Sequence, residues 1–192
     1  MNILYEQFPE AIEIDGVEYP INSDYRTCLR IIKAYESSEL TTIEKHIVML
    51  ELLYKKQPEN KTEAIIKGIK FLNCGMDYKA DELQESEHEA RIFSFKQDAQ
   101  YIFTAINKSH RIDISNIDNL HWWKFCYMFS DINEDTMFSR IIDLRNRKKL
   151  GKLTKEEKEY YARNKKTLEL TDIYSPEIEM AKEKFLKLFG KG

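Results

Sequence analysis

The spacing of apolar positions changes period soon after the chain begins. Ile12-Glu13-Ile14 and Val17-Glu18-Tyr19 alternate apolar and polar residues on either side of Asp15-Gly16, a pair that supplies the positive φ of a tight two-residue turn. This predicts a β-hairpin, and no other segment gives a comparable strand signal. After Pro20 the period becomes helical, with a start near Ser23 or Asp24 and with Leu29, Ile32 and Tyr35 on one side until Ser37-Ser38. Thr41 and Glu44 have capping-box spacing ahead of Ile47, Leu50 and Leu53. Asn60 is placed to cap a helix carrying Ile65, Ile66 and Ile69, which stops near Gly75.

From Asp77 to Glu89 an acidic, polar run breaks the periodicity, and we read it as a flexible loop within one domain. Ser94 and Gln97 open a further helix through Ile102 and Ile106. Ser115 with Asp118 opens another that contains Leu120 to Phe129, apolar nearly all round and therefore expected at the centre of the fold. Trp122, Trp123, Phe125 and Phe129, with Phe138 beyond them, are the expected structural core; packing explains both tryptophans better than chemistry does. Asn133 is placed to cap the helix of Phe138, Ile141 and Leu144. Thr154 and Glu157 repeat the capping box before a helix with a thin apolar stripe around Tyr160-Tyr161. Ser175-Pro176 starts a last helix with Ile178, Ala181, Phe185 and Phe189 on one stripe, ending at Gly190. The expected fold is mainly α, a multi-helix single domain over residues 1–170 with a short N-terminal β-hairpin and an acidic loop at about 77–90, followed by an amphipathic C-terminal helix over 171–192.

Composition agrees with that picture. At 192 residues, 42% hydrophobic and 33% charged, with only 6 Gly and 4 Pro, the chain has the make-up of a helical globular protein large enough for a real core. No apolar run approaches the roughly 20 residues that span a bilayer, and the first ten residues do not form a signal peptide. A cytosolic protein without a membrane partner is expected. Cys28, Cys74 and Cys126 are odd in number and far apart, which suits buried free thiols better than disulfides or a metal knuckle.

Charge is unevenly placed. Arg140 to Lys166 holds 11 basic and 4 acidic residues, a balance of +7, whereas residues 1–139 carry −9. Such polarity favours docking on other proteins or on further copies of the chain, so a homo-oligomer is open. The candidate partner-binding residues are Arg145, Arg147, Lys148 and Lys149, with Tyr160 and Tyr161 nearby. They are also the best nucleic-acid signal, but a phosphate-neutralising protein is ordinarily basic overall, and a pI near 5.9 argues against it.

No catalytic, cofactor-binding or metal-ligating pattern is legible. The six glycines are scattered, and Gly151-Lys152-Leu153-Thr154 lacks the upstream glycine and strand of a phosphate loop, so a turn between helices is the better reading. His46, His88, His110 and His121 include no pair at metal-binding helical spacing. Glu134-Asp135 and Glu156-Glu157 are adjacent carboxylates at helix starts, where negative charge is favoured in any case. An enzyme is not expected.

Four segments together resemble a known family: Glu13 to Arg26 (EIDGVEYPINSDYR), Ile92 to Phe95 with Asp98 to Phe103, His121-Trp122-Trp123-Lys124-Phe125, and Glu134 to Ile141 (EDTMFSRI). They are similar to the bacteriophage gene-product-fifteen family of tailed phages and prophages of Gram-positive bacteria, over about Glu10 to Leu170. Leu150 to Glu156 departs from the family's usual wording, and the chain continues beyond the family's end. The resemblance implies a small, helical, non-enzymatic tail assembly chaperone with no catalytic residues or cofactor. Its implied partners are the tape measure protein and, as the protein that later replaces it, the tail-tube protein. The implied location is the host cytoplasm, with the protein absent from the mature virion. The alternatives are a structural tail or connector component of the virion and a nucleic-acid-associated phage protein.

Overall fold

The computed structural model describes residues 2–37, 39–76 and 92–170. The acidic run and the C-terminal helix expected from the sequence lie outside the described residues. The fold is mainly α, with the expected hairpin at its start.

β1 (Ala11–Ile14) and β2 (Val17–Pro20) pair antiparallel, Ile12 opposite Tyr19 and Ile14 opposite Val17. Asp15 and Gly16 have φ of 50° and 76°, the left-handed pair that such a two-residue turn demands. A lone two-stranded ribbon is marginal in water. This one is held because Ile12 and Ile14 are buried in the core and Lys67 Nζ donates to the Glu13 carbonyl at 2.6 Å.

Past Pro20 the chain stays extended for a few residues and is pinned on both sides. Asn22 N–H donates to Leu53 O at 2.7 Å and Lys55 N–H to Pro20 O at 3.0 Å. Trp122 N–H donates to Ser23 O at 2.7 Å and Tyr25 N–H to Leu120 O at 2.9 Å. Ile21 and Ser23 are buried between these two anchors, and Ile21 N–H donates to Glu10 O at 3.0 Å. This segment ties the end of one helix to the beginning of another far along the chain.

α1 (Tyr25–Tyr35) is capped by Asp24, whose carboxylate accepts from Arg26 N–H and also from Leu120 N–H. α2 (Thr42–Leu53) has the expected reciprocal Thr41–Glu44 capping box, and α3 (Lys61–Leu72) the expected Asn60 cap. The faces these helices bury differ from the periodic reading. α1 buries Tyr25, Cys28 and Ile31, with Leu29, Ile32 and Tyr35 on the flank; Ile47 of α2 and Ile66 of α3 are exposed. For α2 and α3 the reason lies at Gly68. A Cβ there would come within 3.1 Å of Met49 Sδ and 3.2 Å of Leu53 Cδ2, so α2 and α3 meet over Ala64 and Gly68, where side-chain bulk is least, and this rotates the isoleucines outward.

α4 (Ala99–His110) buries Ile102, Ala105 and Ile106. It begins after Asp98, one turn later than Ser94 and Gln97 suggest, because Ser94 Oγ accepts from the Gln97 N–H in a separate turn. α5 (Trp122–Ser130) also starts later than expected. Ser115 sits in a short 3-10 turn (Ile114–Asn116) capped by Asp113, and His121 is the cap of α5. Its Nδ1 accepts from Trp123 N–H at 3.1 Å while its Nε2 bonds the Pro9 carbonyl at 3.1 Å, so the ring is held with Nε2 as donor. α5 is not apolar all round, since Lys124 and Tyr127 reach the surface.

The two indoles cap α3 from across the core. Trp122 Nε1 donates to Leu72 O at 2.8 Å and Trp123 Nε1 to Phe71 O at 2.7 Å, two carbonyls in the last turn of the helix, where intrahelical donors run out. Phe125 stacks on Tyr25 and Trp122, with ring centroids 4.8 and 5.7 Å apart, and Phe138 closes against Phe129 at 5.6 Å. Trp122, Trp123, Phe125 and Phe138 are buried and Phe129 is half-buried.

The chain ends its described course in α6 (Met137–Lys149), α7 (Lys155–Arg163) and α8 (Lys165–Leu168). α6 is capped by Thr136 rather than Asn133, whose carbonyl instead accepts from Ser139 Oγ at 2.9 Å. α7 has the expected Thr154–Glu157 capping box. Ile141, Leu144, Tyr161 and Leu168 form a second, smaller core; Tyr101 packs against both cores.

Candidate partner-binding surface

The basic segment folds as α6, a reversal, and α7 with α8. Gly151 makes the reversal possible with φ of 68°, a conformation costly for residues with a Cβ. Gly151-Lys152-Leu153-Thr154 is thus a turn between helices, as the missing strand and glycine imply.

The structure separates the six residues proposed to bind a partner. Arg145 is a correction, because it is buried and not on the surface. Its guanidinium donates Nη1 to Asp98 Oδ2 at 2.7 Å and Nη2 to Asp98 Oδ1 at 2.9 Å. Nε donates to Leu168 O at 2.7 Å, Nη1 to Ile92 O at 3.0 Å and Nη2 to Thr167 O at 3.1 Å. All five N–H groups are used. Asp98, fully buried, also accepts from Ser94 N–H at 2.9 Å. The pair fastens the small core to the start of α4, a long-range contact with no local sequence signal.

Tyr161 is a second correction. It is buried, its hydroxyl donates to Leu168 O at 3.0 Å, and the Lys148 ammonium lies 4.2 Å from its ring centroid. Arg147 bonds Glu157 at 2.6 Å and approaches Asp143 at 3.5 Å. Lys149 is exposed and Tyr160 half-buried. The local surplus of +7 is therefore partly compensated within the fold.

A groove of about 410 Å³ opens between α6, α7 and α8. Leu153, Tyr161 and Ala162 give it apolar walls, and Lys148, Lys158 and Lys165 stand around it with Glu169. Glu169 bonds Lys148 and Lys165, both at 3.1 Å. That contact lowers the Glu169 pKa, and on the other side raises that of Lys148. Lys158 makes no ion pair among the described residues. Lys158, Lys165 and Glu169 escaped the sequence reading because they come from different elements; the run of basic residues was their only signal.

A second surface is apolar. Ile43 and Ile47 lie one turn apart on the outer face of α2, 72% and 52% exposed, and Ile66 is exposed on neighbouring α3. Among the described residues no cluster of three or more His, Cys, Asp or Glu is placed to hold a metal ion, and no helix is long and apolar enough to cross a membrane.

This domain coincides with a family match: residues 4–170 fit the model described as Bacteriophage Gp15 protein, and the chain belongs to that family of phage proteins. No curated protein and no solved structure matches it.

Proposed function

We propose that this phage protein is a tail assembly chaperone, which binds the tape measure protein before the tail-tube protein polymerises around it. Membership of the Gp15 family over residues 4–170 carries the reading. It acts in the host cytoplasm without a cofactor or catalytic step and leaves before the virion is complete. The physical requirement is cover for a long helical client whose apolar stretches would otherwise aggregate, and exposed apolar residues at helical spacing suit that task. Ile43 and Ile47 provide such a ridge on α2. Many weak contacts along one client give avidity and still permit displacement by tube subunits.

The test is the fate of the chain during infection or prophage induction. Quantitative mass spectrometry should find it in lysates and assembly intermediates but not in purified particles, and deletion of its gene should leave filled heads without tails. Stoichiometric recovery from virions would make it a structural tail or connector component. Normal tails in the deletion strain would end the proposal.

A further inference from the structure

We propose that copies of this chain associate head to tail, the N-terminal turn of one copy seated in the α6–α8 groove of the next. The turn is an exposed apolar knob. Asn2 closes it, its Oδ1 accepting from Leu4 N–H at 3.1 Å and its carbonyl from the N–H groups of Tyr5 at 3.3 Å and Glu6 at 2.9 Å. Ile3, Leu4 and Tyr5 are all exposed, Leu4 to 89%. Phe8 and Pro9 anchor the knob to the body of the fold. Phe8 stacks on His121 with ring centroids 4.8 Å apart, and the Pro9 carbonyl is bonded to His121 Nε2.

The groove matches the knob in chemistry and in sign. Its volume accommodates a few side chains, and its walls are apolar. Around it stand three lysines and one glutamate, with Lys158 lacking an ion-pair partner among the described residues. Glu6 comes directly after Ile3-Leu4-Tyr5, so the apolar knob arrives with a carboxylate for that ammonium.

Knob and groove are different surfaces. The knob is anchored on α5 in the main core, and the groove belongs to the small core. An interface between unlike surfaces leaves one knob and one groove free at the ends of every dimer, so association continues into a row or closes as a ring. This property belongs to the chain alone and does not depend on the tape measure reading.

Sedimentation velocity on the full chain tests it. The wild type should populate species beyond the dimer as concentration rises, and higher salt should weaken them, because exposed charges are screened over roughly 8 Å at physiological ionic strength. Leu4→Asp spoils the knob and Lys158→Glu the groove; both sites are exposed, and circular dichroism should show unchanged folding. Each variant alone should associate at least about tenfold more weakly than wild type. Mixed, they should form a one-to-one dimer and nothing larger, since only one good knob and one good groove remain. A wild type that stays monomeric overturns the proposal, as does a dimer indifferent to both substitutions or a mixture that fails to associate. A chain truncated after Leu170 that associates where the full chain does not would show the groove occupied by the chain's own C-terminal stretch, also overturning it.

Discussion

Arg145 grips Asp98 through two parallel N–H···O bonds of 2.7 and 2.9 Å, 47 residues apart in the chain and both buried. A buried ion pair of this kind fixes geometry more surely than it adds stability, because desolvation offsets most of the attraction. Removing one partner leaves the other charged and unpaired.

Arg145→Ala should therefore destabilise the fold by about 3–5 kcal/mol in chemical denaturation. Replacing both, Asp98→Leu with Arg145→Met, should recover only part of the loss. The carbonyls of Ile92, Thr167 and Leu168 would still lack the donors that Arg145 supplies. A nearly neutral Arg145→Ala would show that the pair does not fasten the small core.

The indole caps make a differential prediction. Phe71 O accepts from Cys74 N–H at 3.0 Å as well as from Trp123, whereas Leu72 O receives only the Trp122 indole among the described residues. Trp122→Phe should consequently cost more than Trp123→Phe, by about 1–3 kcal/mol, the cost of an orphaned buried acceptor. Trp123→Ala, which empties the site altogether, should cost about 3–5 kcal/mol. Equal costs for the two phenylalanine variants would contradict the capping role.

The thiols should differ in reactivity. All three are free. The Cys126 side-chain hydrogen bond holds the Cys74 thiol below its usual value, while the same contact followed by burial raises Cys126; burial raises Cys28. Iodoacetamide on the native protein should label Cys74 first and spare Cys28 and Cys126 until the fold opens. Peptide mapping by mass spectrometry checks the order, and early labelling of Cys28 would refute it.

The capping carboxylates tie stability to pH. Hydrogen bonding to the Thr154 backbone, with Arg147 adding to it, lowers the Glu157 pKa; the backbone of Thr41 does the same for Glu44. A depressed folded-state pKa means the stabilisation is fully present above the unfolded value and lost as pH falls through the folded one. Carboxyl chemical shifts should titrate below the usual 4.5 at both residues. A midpoint at or above that value in either would remove the cap from the account.

The features legible in the sequence are local ones. The Asp15-Gly16 turn, the caps at Asp24, Thr41, Asn60 and Thr154, and the stripe of Phe138, Ile141 and Leu144 depend on neighbours a few residues away, where spacing carries the signal. The facing of α2 and α3 was not legible, because it turns on Met49 meeting Gly68, a contact between helices. His121 was missed as the cap of α5 because Ser115 and Asp118 offered the more usual chemistry upstream. At the basic segment, composition suggested a surface, yet Arg145 faces a buried carboxylate and Tyr161 a backbone carbonyl. Residue type alone does not distinguish a solvated arginine from a buried one whose partner lies 47 positions away.

Co-expression with the tape measure protein measures most directly the proposed binding of that protein by this chain. With the wild-type chain the tape measure protein should remain in the soluble fraction and co-purify. With Ile43→Asp and Ile47→Asp combined, at exposed sites on α2, it should move largely to the pellet while this chain stays folded and soluble. A tape measure protein that is equally soluble with and without this chain, and never co-purifies with it, would contradict the account.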